Sequence, residues 1–184
     1  MRESIRKLWH RQDGLSAVEF ALIAPIFLLL VTAAVDIGAL VQDKMRIEDA
    51  AQSAMTYAMG HGQPLDSAKA KELAQNVERI LVSRLGSDVG VTVDVNHGAV
   101  RTYAGAKGQD SGNAALAASC YCPTLDASSV KWNDAMACGK PCPGGGGNGK
   151  FVFLKISKPH APIFGGYGLT ENGNLHLQTI GRIE

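Results

Sequence analysis

The chain has 184 residues, room for one modest domain and a membrane segment. Eighteen basic and seventeen acidic residues leave a formal charge of +1, which excludes a globally basic nucleic-acid binder. Charge is nevertheless uneven along the chain. Residues 1–14 carry Arg2, Arg6, Lys7 and Arg11 against Glu3 and Asp13, a net of +2. Residues 36–50 carry Asp36, Asp43, Glu48 and Asp49 against Lys44 and Arg46, a net of −2. Lysine and arginine stay on the cytoplasmic side of a membrane, so this asymmetry faces residues 1–14 inward and the rest of the chain outward.

An apolar run follows the basic leader. Phe20–Val35 is sixteen residues without a charge, and with Asp36 tolerated the run reaches Val41. Those 22 residues rise about 33 Å as a helix, the thickness of a hydrocarbon core. The run opens with a carboxylate, Glu19, five residues beyond Gly14. A charge at this depth is costly and marks function by default. Gly14-Leu15-Ser16-Ala17-Val18-Glu19-Phe20 resembles the cleavage site of type IV prepilin-like proteins. The resemblance implies that a prepilin peptidase cuts after Gly14 and that Leu15 becomes the new N-terminus. Glu19 would then be residue five of the mature chain, its carboxylate paired with the new α-amino group of a neighbouring subunit. Two plainer readings compete: a signal anchor whose Glu19 snorkels to the interface, and ordinary secretory cleavage at Val31-Thr32-Ala33.

Helical spacing continues past the apolar run. Ile47, Ala50, Ala51, Ala54 and Ala58 recur on one face up to Met59, and Gly60-His61-Gly62-Gln63-Pro64 breaks the pattern. The spacing predicts one helix from about Leu15 to Met59, kinked at Pro25. Its outer alanines suit either close approach of another subunit or packing on the protein's own sheet. A second helix is expected from Asp66 or Ser67 to Leu85, with Gly86 as its stop and Ala70, Leu73, Ala74, Val77, Ile80 and Leu81 as its apolar face. Val91, Val93 and Val95 alternate with polar residues as a strand, Asn96-His97-Gly98 turns the chain, and a second strand lies near Ala99–Tyr103. Residues 104–119, rich in Ala, Gly and Ser, read as a flexible connection. Alternation at Val152–Ile156 and at Leu175–Gln178 gives two more strands around a Pro/Gly-rich loop. The fold class is therefore α+β, a long N-terminal helix plus a small domain with a second helix and an antiparallel sheet.

That order resembles the TadE-like minor pseudopilins of tight-adherence (Flp-type) pilus systems, and suits the sister TadF type equally. The resemblance is strongest over residues 14–59, in Gly14, Glu19-Phe20, Pro25, Asp36-Ile37-Gly38 and the Ala-rich helix to Tyr57-Ala58. It is looser at the C-terminal strands and absent from the cysteines. It implies a cleaved leader at 1–14, a transmembrane segment at 15–41 and an extracytoplasmic pseudopilin domain at 42–184. It further implies a single-pass protein of the bacterial inner membrane with a periplasmic domain, placed in or at the base of a pilus. The implied partners are prepilin peptidase, other pilins and pseudopilins, inner-membrane pilus assembly proteins and membrane lipid, with no cofactor and no catalytic activity.

Four cysteines cluster as Cys120-x-Cys122 and Cys138-x3-Cys142. Outside the cytoplasm their default is two disulfides, and a Cys120–Cys122 bond would close a strained ring, which favours pairing across the gap. A thiolate zinc site is the alternative, although neither pair has the usual two-residue spacing. Gly144-x4-Gly149-Lys150 looks like a phosphate-binding loop but has Phe151 where Ser or Thr would reach a magnesium ion. The histidines are scattered, and no nucleophile–base or paired-carboxylate pattern occurs. An enzyme is not expected. Beside the pseudopilin reading stand a permanently anchored binding module, whose loop 120–142 recognises a partner, and a cysteine-based metal protein.

Overall fold

A computed structural model describes residues 15–126, 129–163, 170 and 172–184. Helix α1 (Leu15–His61) runs 47 residues with Pro25 inside it. Helix α2 (Ser67–Leu85) starts at Asp66, whose carboxylate accepts the Lys69 amide at 2.8 Å, and stops at Gly86, where φ is 99°. The chain divides into two units between Val41 and Gln42, the segment starting at Pro162 grouping with the first.

The second unit is built on one antiparallel sheet. Strands β1 (Gly90–Val95), β2 (Ala99–Ala104), β3 (Lys107–Ser111), β6 (Phe151–Pro159) and β7 (Asn174–Arg182) stand in the order β3-β2-β1-β6-β7. A short separate pair, β4 (Thr124–Leu125) and β5 (Val130–Lys131), lies in the cysteine region. Register assigns the faces, because opposed residues share one. Val91, Val93 and Val95 stand opposite Ile156, Leu154 and Val152, and all six are buried. Helix α2 covers this face, inserting Leu73, Ala74, Val77 and Leu81 over β1 and β2. On the same face Arg101 pairs with the buried Glu78 of α2 and reaches Asp110 of β3 at 3.0 Å.

The outer half of α1 uses its small residues in the same core. Ala50, Ala51, Ala54 and Ala58 are all buried, Ala54 at 0 % exposure, so they are intramolecular packing and not a free seam for another subunit. Gly181 of β7 makes the approach possible: a Cβ there would overlap the Met55 side chain of α1.

Residues 104–119 are no loose connection, which corrects the expectation from composition. Gly105 and Ala106 both take positive φ, 59° and 66°, and turn the chain into β3. Ala114–Ala118 then form a 3₁₀ turn capped by the Asn113 side chain. Strand β3, Lys-Gly-Gln-Asp-Ser, lacks apolar alternation because it is an edge strand with mostly exposed residues. Gly108 is needed for space, since a Cβ would overlap the Arg101 guanidinium.

Asn96 ties three segments together. It is fully buried, at 0 % exposure, in the turn between β1 and β2 with φ of 54°. Its side-chain amide donates to Ala117 O at 2.8 Å and Ser119 O at 2.7 Å, and its Oδ1 accepts the Phe151 amide at 3.1 Å. Asparagine suits both demands, tolerating the left-handed backbone and offering two donors and an acceptor. Asn96→Ala strands two carbonyls and one amide at roughly 1–3 kcal/mol each. Denaturant unfolding of Asn96→Ala should therefore show a loss of about 3 kcal/mol or more, and a loss below about 1 kcal/mol would refute this role.

Candidate functional site

The first unit carries the apolar surface. Up to Val41, α1 leaves its large side chains open, from Val18 and Phe20 (72 % exposed) to Leu30 and Val41. Among the described residues it is the one helix long and apolar enough to cross a membrane. Thr32, the polar residue inside the run, returns its hydroxyl hydrogen to Leu28 O at 2.8 Å, which spares it an external partner. Glu19 is exposed among these apolar neighbours and Leu15 opens the helix, while Gly14 lies outside the described residues. Asp36 is 4 % exposed and accepts the Ile163 backbone amide at 3.0 Å. The carboxylate inside the apolar run is thus met by backbone from the loop after β6.

A second acidic residue fastens α1 at the start of the second unit. Asp43 accepts Lys158 Nζ at 2.7 Å and meets His160 Nδ1 at 3.0 Å. Lys158 lies in β6 and His160 directly after it, and both side chains are largely buried. Burial pushes the Asp43 carboxyl up, but hydrogen bonds from Lys158 and His160 and their positive charge outweigh it and hold it below the usual range. Sequence reasoning missed this cluster, because 115 residues separate Asp43 from Lys158 and no local pattern joins them.

The cysteine region covers the opposite face of the sheet. Disulfides join Cys120 to Cys138 and Cys122 to Cys142. Sulfur in such bonds is not a thiolate donor, so the zinc alternative loses its ligands. The two loops interleave: once Cys120–Cys138 has formed, the second bridge closes only the short path left between Cys122 and Cys142. Together they stabilise by little more than the roughly 3 kcal/mol expected of one loop of this length. Beside them Trp132 Nε1 donates to Asp94 Oδ2 at 2.8 Å, and its ring tilts toward His97 and Tyr121. Burial pushes the Asp94 carboxyl up despite this bond. Asn148 holds the far side, donating to Ala137 O at 2.7 Å and accepting the Lys140 amide at 3.0 Å. The Gly144-x4-Gly149-Lys150 segment is structural: Gly149 pairs with Tyr121, and Lys150 Nζ is spent on Glu184 at 2.7 Å.

The family comparison falls on the helix. Residues 14–55 match the model of the TadE-like protein family. Over this stretch the chain is similar to TadE-like proteins. The match takes in Gly14, Glu19, Phe20, Asp36 and Asp43 and stops short of α2, the sheet and the cysteines. No curated protein matches the chain, and no solved structure does. The TadE-like family implies a role in tight-adherence pilus systems.

The Asp43 cluster gives a pH dependence. The folded carboxyl titrates below its ordinary value, so its contribution is fully present above that ordinary value and is lost as pH falls through the folded one. Asp43→Asn should cost about 2 kcal/mol at neutral pH, since Lys158 loses a charged hydrogen bond. It should also flatten the loss of stability below about pH 4 in urea titrations; a mutant curve parallel to the parent's would refute the assignment.

Proposed function

We propose that this TadE-like chain is a minor pseudopilin of a tight-adherence pilus or secretion system, released from its leader between Gly14 and Leu15. Residues 15–41 hold it in the bacterial inner membrane, and residues 42–184 form its extracytoplasmic domain. The observation that carries this reading is the exposed carboxylate of Glu19 in an otherwise apolar, exposed stretch of α1, inside the family match. Water does not suit that stretch, and lipid does not suit a lone charge. The bilayer covers the stretch, and a neighbouring subunit's new α-amino group pairs with Glu19. Phe20 then packs beside the pair as part of the helix surface offered to other pilins.

The role is structural rather than catalytic, as TadE-like pilus components are. Disulfides fit an oxidising compartment, which supports the outward placement of the sheet domain. The leader's excess of Arg and Lys supports a cytoplasmic N-terminus. Prepilin peptidase, other pilins and inner-membrane assembly proteins are the partners this reading requires.

Two measurements test it. Mass spectrometry of the mature chain should find Leu15 as its N-terminus, and Gly14→Val should leave an uncleaved membrane-bound precursor. A mature chain that keeps Met1, or starts after Ala33, would overturn the reading. Glu19→Ala should still insert into the membrane, because it removes a cost of insertion, yet fail to cross-link to pilus-assembly subunits. Normal piliation with Glu19→Ala would show that the carboxylate is dispensable.

A further inference from the structure

We infer that the loop leaving β6 at Ala161–Ile163 is a second, shallow contact with the lipid surface, so that the chain meets the membrane through α1 and again through this loop. The inference rests on the proposed membrane-spanning role of α1. Its geometric basis is the bond from the Ile163 amide to Asp36 Oδ1 at 3.0 Å, both residues belonging to the first unit. Asp36 lies within the exposed apolar surface of α1, between Val35 and Ile37, which are 58 % and 46 % exposed. Val41, the last apolar residue before Gln42 and Asp43, is five residues further on, about 7.5 Å along the axis, and Met45 is exposed one turn beyond it. A backbone amide bonded to Asp36 sits at that level, inside the outer end of the apolar run.

The chemistry of the loop agrees with the level. Ile163 is 63 % exposed although it stands beside the helix. Ala161-Pro162-Ile163 has no charged residue. Isoleucine gains by entering the boundary between headgroups and acyl chains, where an isolated acid or lysine would resist. Lipid is favoured over a protein partner because Ile163 continues the same apolar surface that α1 presents to the bilayer. The Asp36 bond also gives that carboxylate a donor where water is scarce, which makes an acid at this depth tolerable. Asp36 is thus the positioning residue of the contact.

Nitroxide depth measurements test the inference on the full chain in vesicles of phosphatidylcholine and phosphatidylglycerol. The four native cysteines are all paired, so an introduced thiol takes the label selectively. Labels at Ile163→Cys, Leu29→Cys and Met59→Cys are compared for collision with oxygen, which concentrates in lipid, and with a water-soluble nickel chelate. Leu29 is exposed within the apolar run and Met59 is exposed beyond it. The label at 163 should show an oxygen-to-nickel ratio several-fold above that at 59 and below that at 29. Adding Asp36→Ala should move the ratio at 163 toward that at 59 while leaving 29 unchanged. If 29 reports lipid and 163 reports water, this inference falls and the membrane-spanning role stands. Shielding of 163 from both reagents would mean a protein cover and would also overturn it. A water-like signal at 29 would overturn the spanning role itself, and the loop contact with it.

Discussion

The constraint that organises this protein is the uncovered apolar surface of α1 between Val18 and Val41. Fully removing a Leu, Ile or Phe side chain from water is worth roughly 1.5–3 kcal/mol, and here such side chains face outward turn after turn. They require a non-aqueous cover, and the polar groups of the stretch are arranged accordingly. Thr32 bonds to its own helix, Asp36 accepts a backbone amide, and Glu19 is left with its charge exposed near the start. Glu19 is the exception among the three, and it lies where a binding partner has most to offer.

Beyond Val41 the helix changes chemistry. Exposed large apolar side chains thin out to Met45 and Met59, while Ile47, Met55 and four alanines are buried, and carboxylates appear at Asp43, Glu48 and Asp49. Small residues let the helix backbone come close to a sheet, and Gly181 removes the one Cβ that would hold Met55 away. Asp43 then adds a charged clasp to β6. Such a clasp is worth more than an exposed ion pair because Lys158 and His160 are largely buried and would be stranded without it. The family match ends at residue 55, within this alanine face, so it covers the membrane-type half of α1 and its first attachment to the domain.

How much of this was legible in the sequence depended on the range of the interaction. Helix α2 was readable from Asp66, Gly86 and its apolar period, because caps and amphipathicity are local signals. Strands β1, β2, β6 and β7 were readable because alternation survives wherever one face is buried. Strand β3 was not, since an edge strand of Lys, Gly, Gln, Asp and Ser takes its pairing from β2 and from the turn at Gly105 and Ala106. Asn96 was visible only as a turn residue. Its bonds to Ala117, Ser119 and Phe151 depend on tertiary placement that no window of sequence contains.

The same reasoning separates the two halves of the chain by what each can vary. The cysteine region hangs on Asn96, Asn148 and two interleaved disulfides rather than on a large apolar core. Its surface is polar and open, with Asp134 exposed and Lys131 paired to Asp126 at 2.7 Å. Helix α1 has less freedom. Its inner half exposes large apolar side chains with Glu19 as the charged exception, and its outer half packs Ala50, Ala51, Ala54 and Ala58 beside the larger Ile47 and Met55. The family match lies on α1, the half of the chain with the narrower choice of side chains, and ends before the sheet.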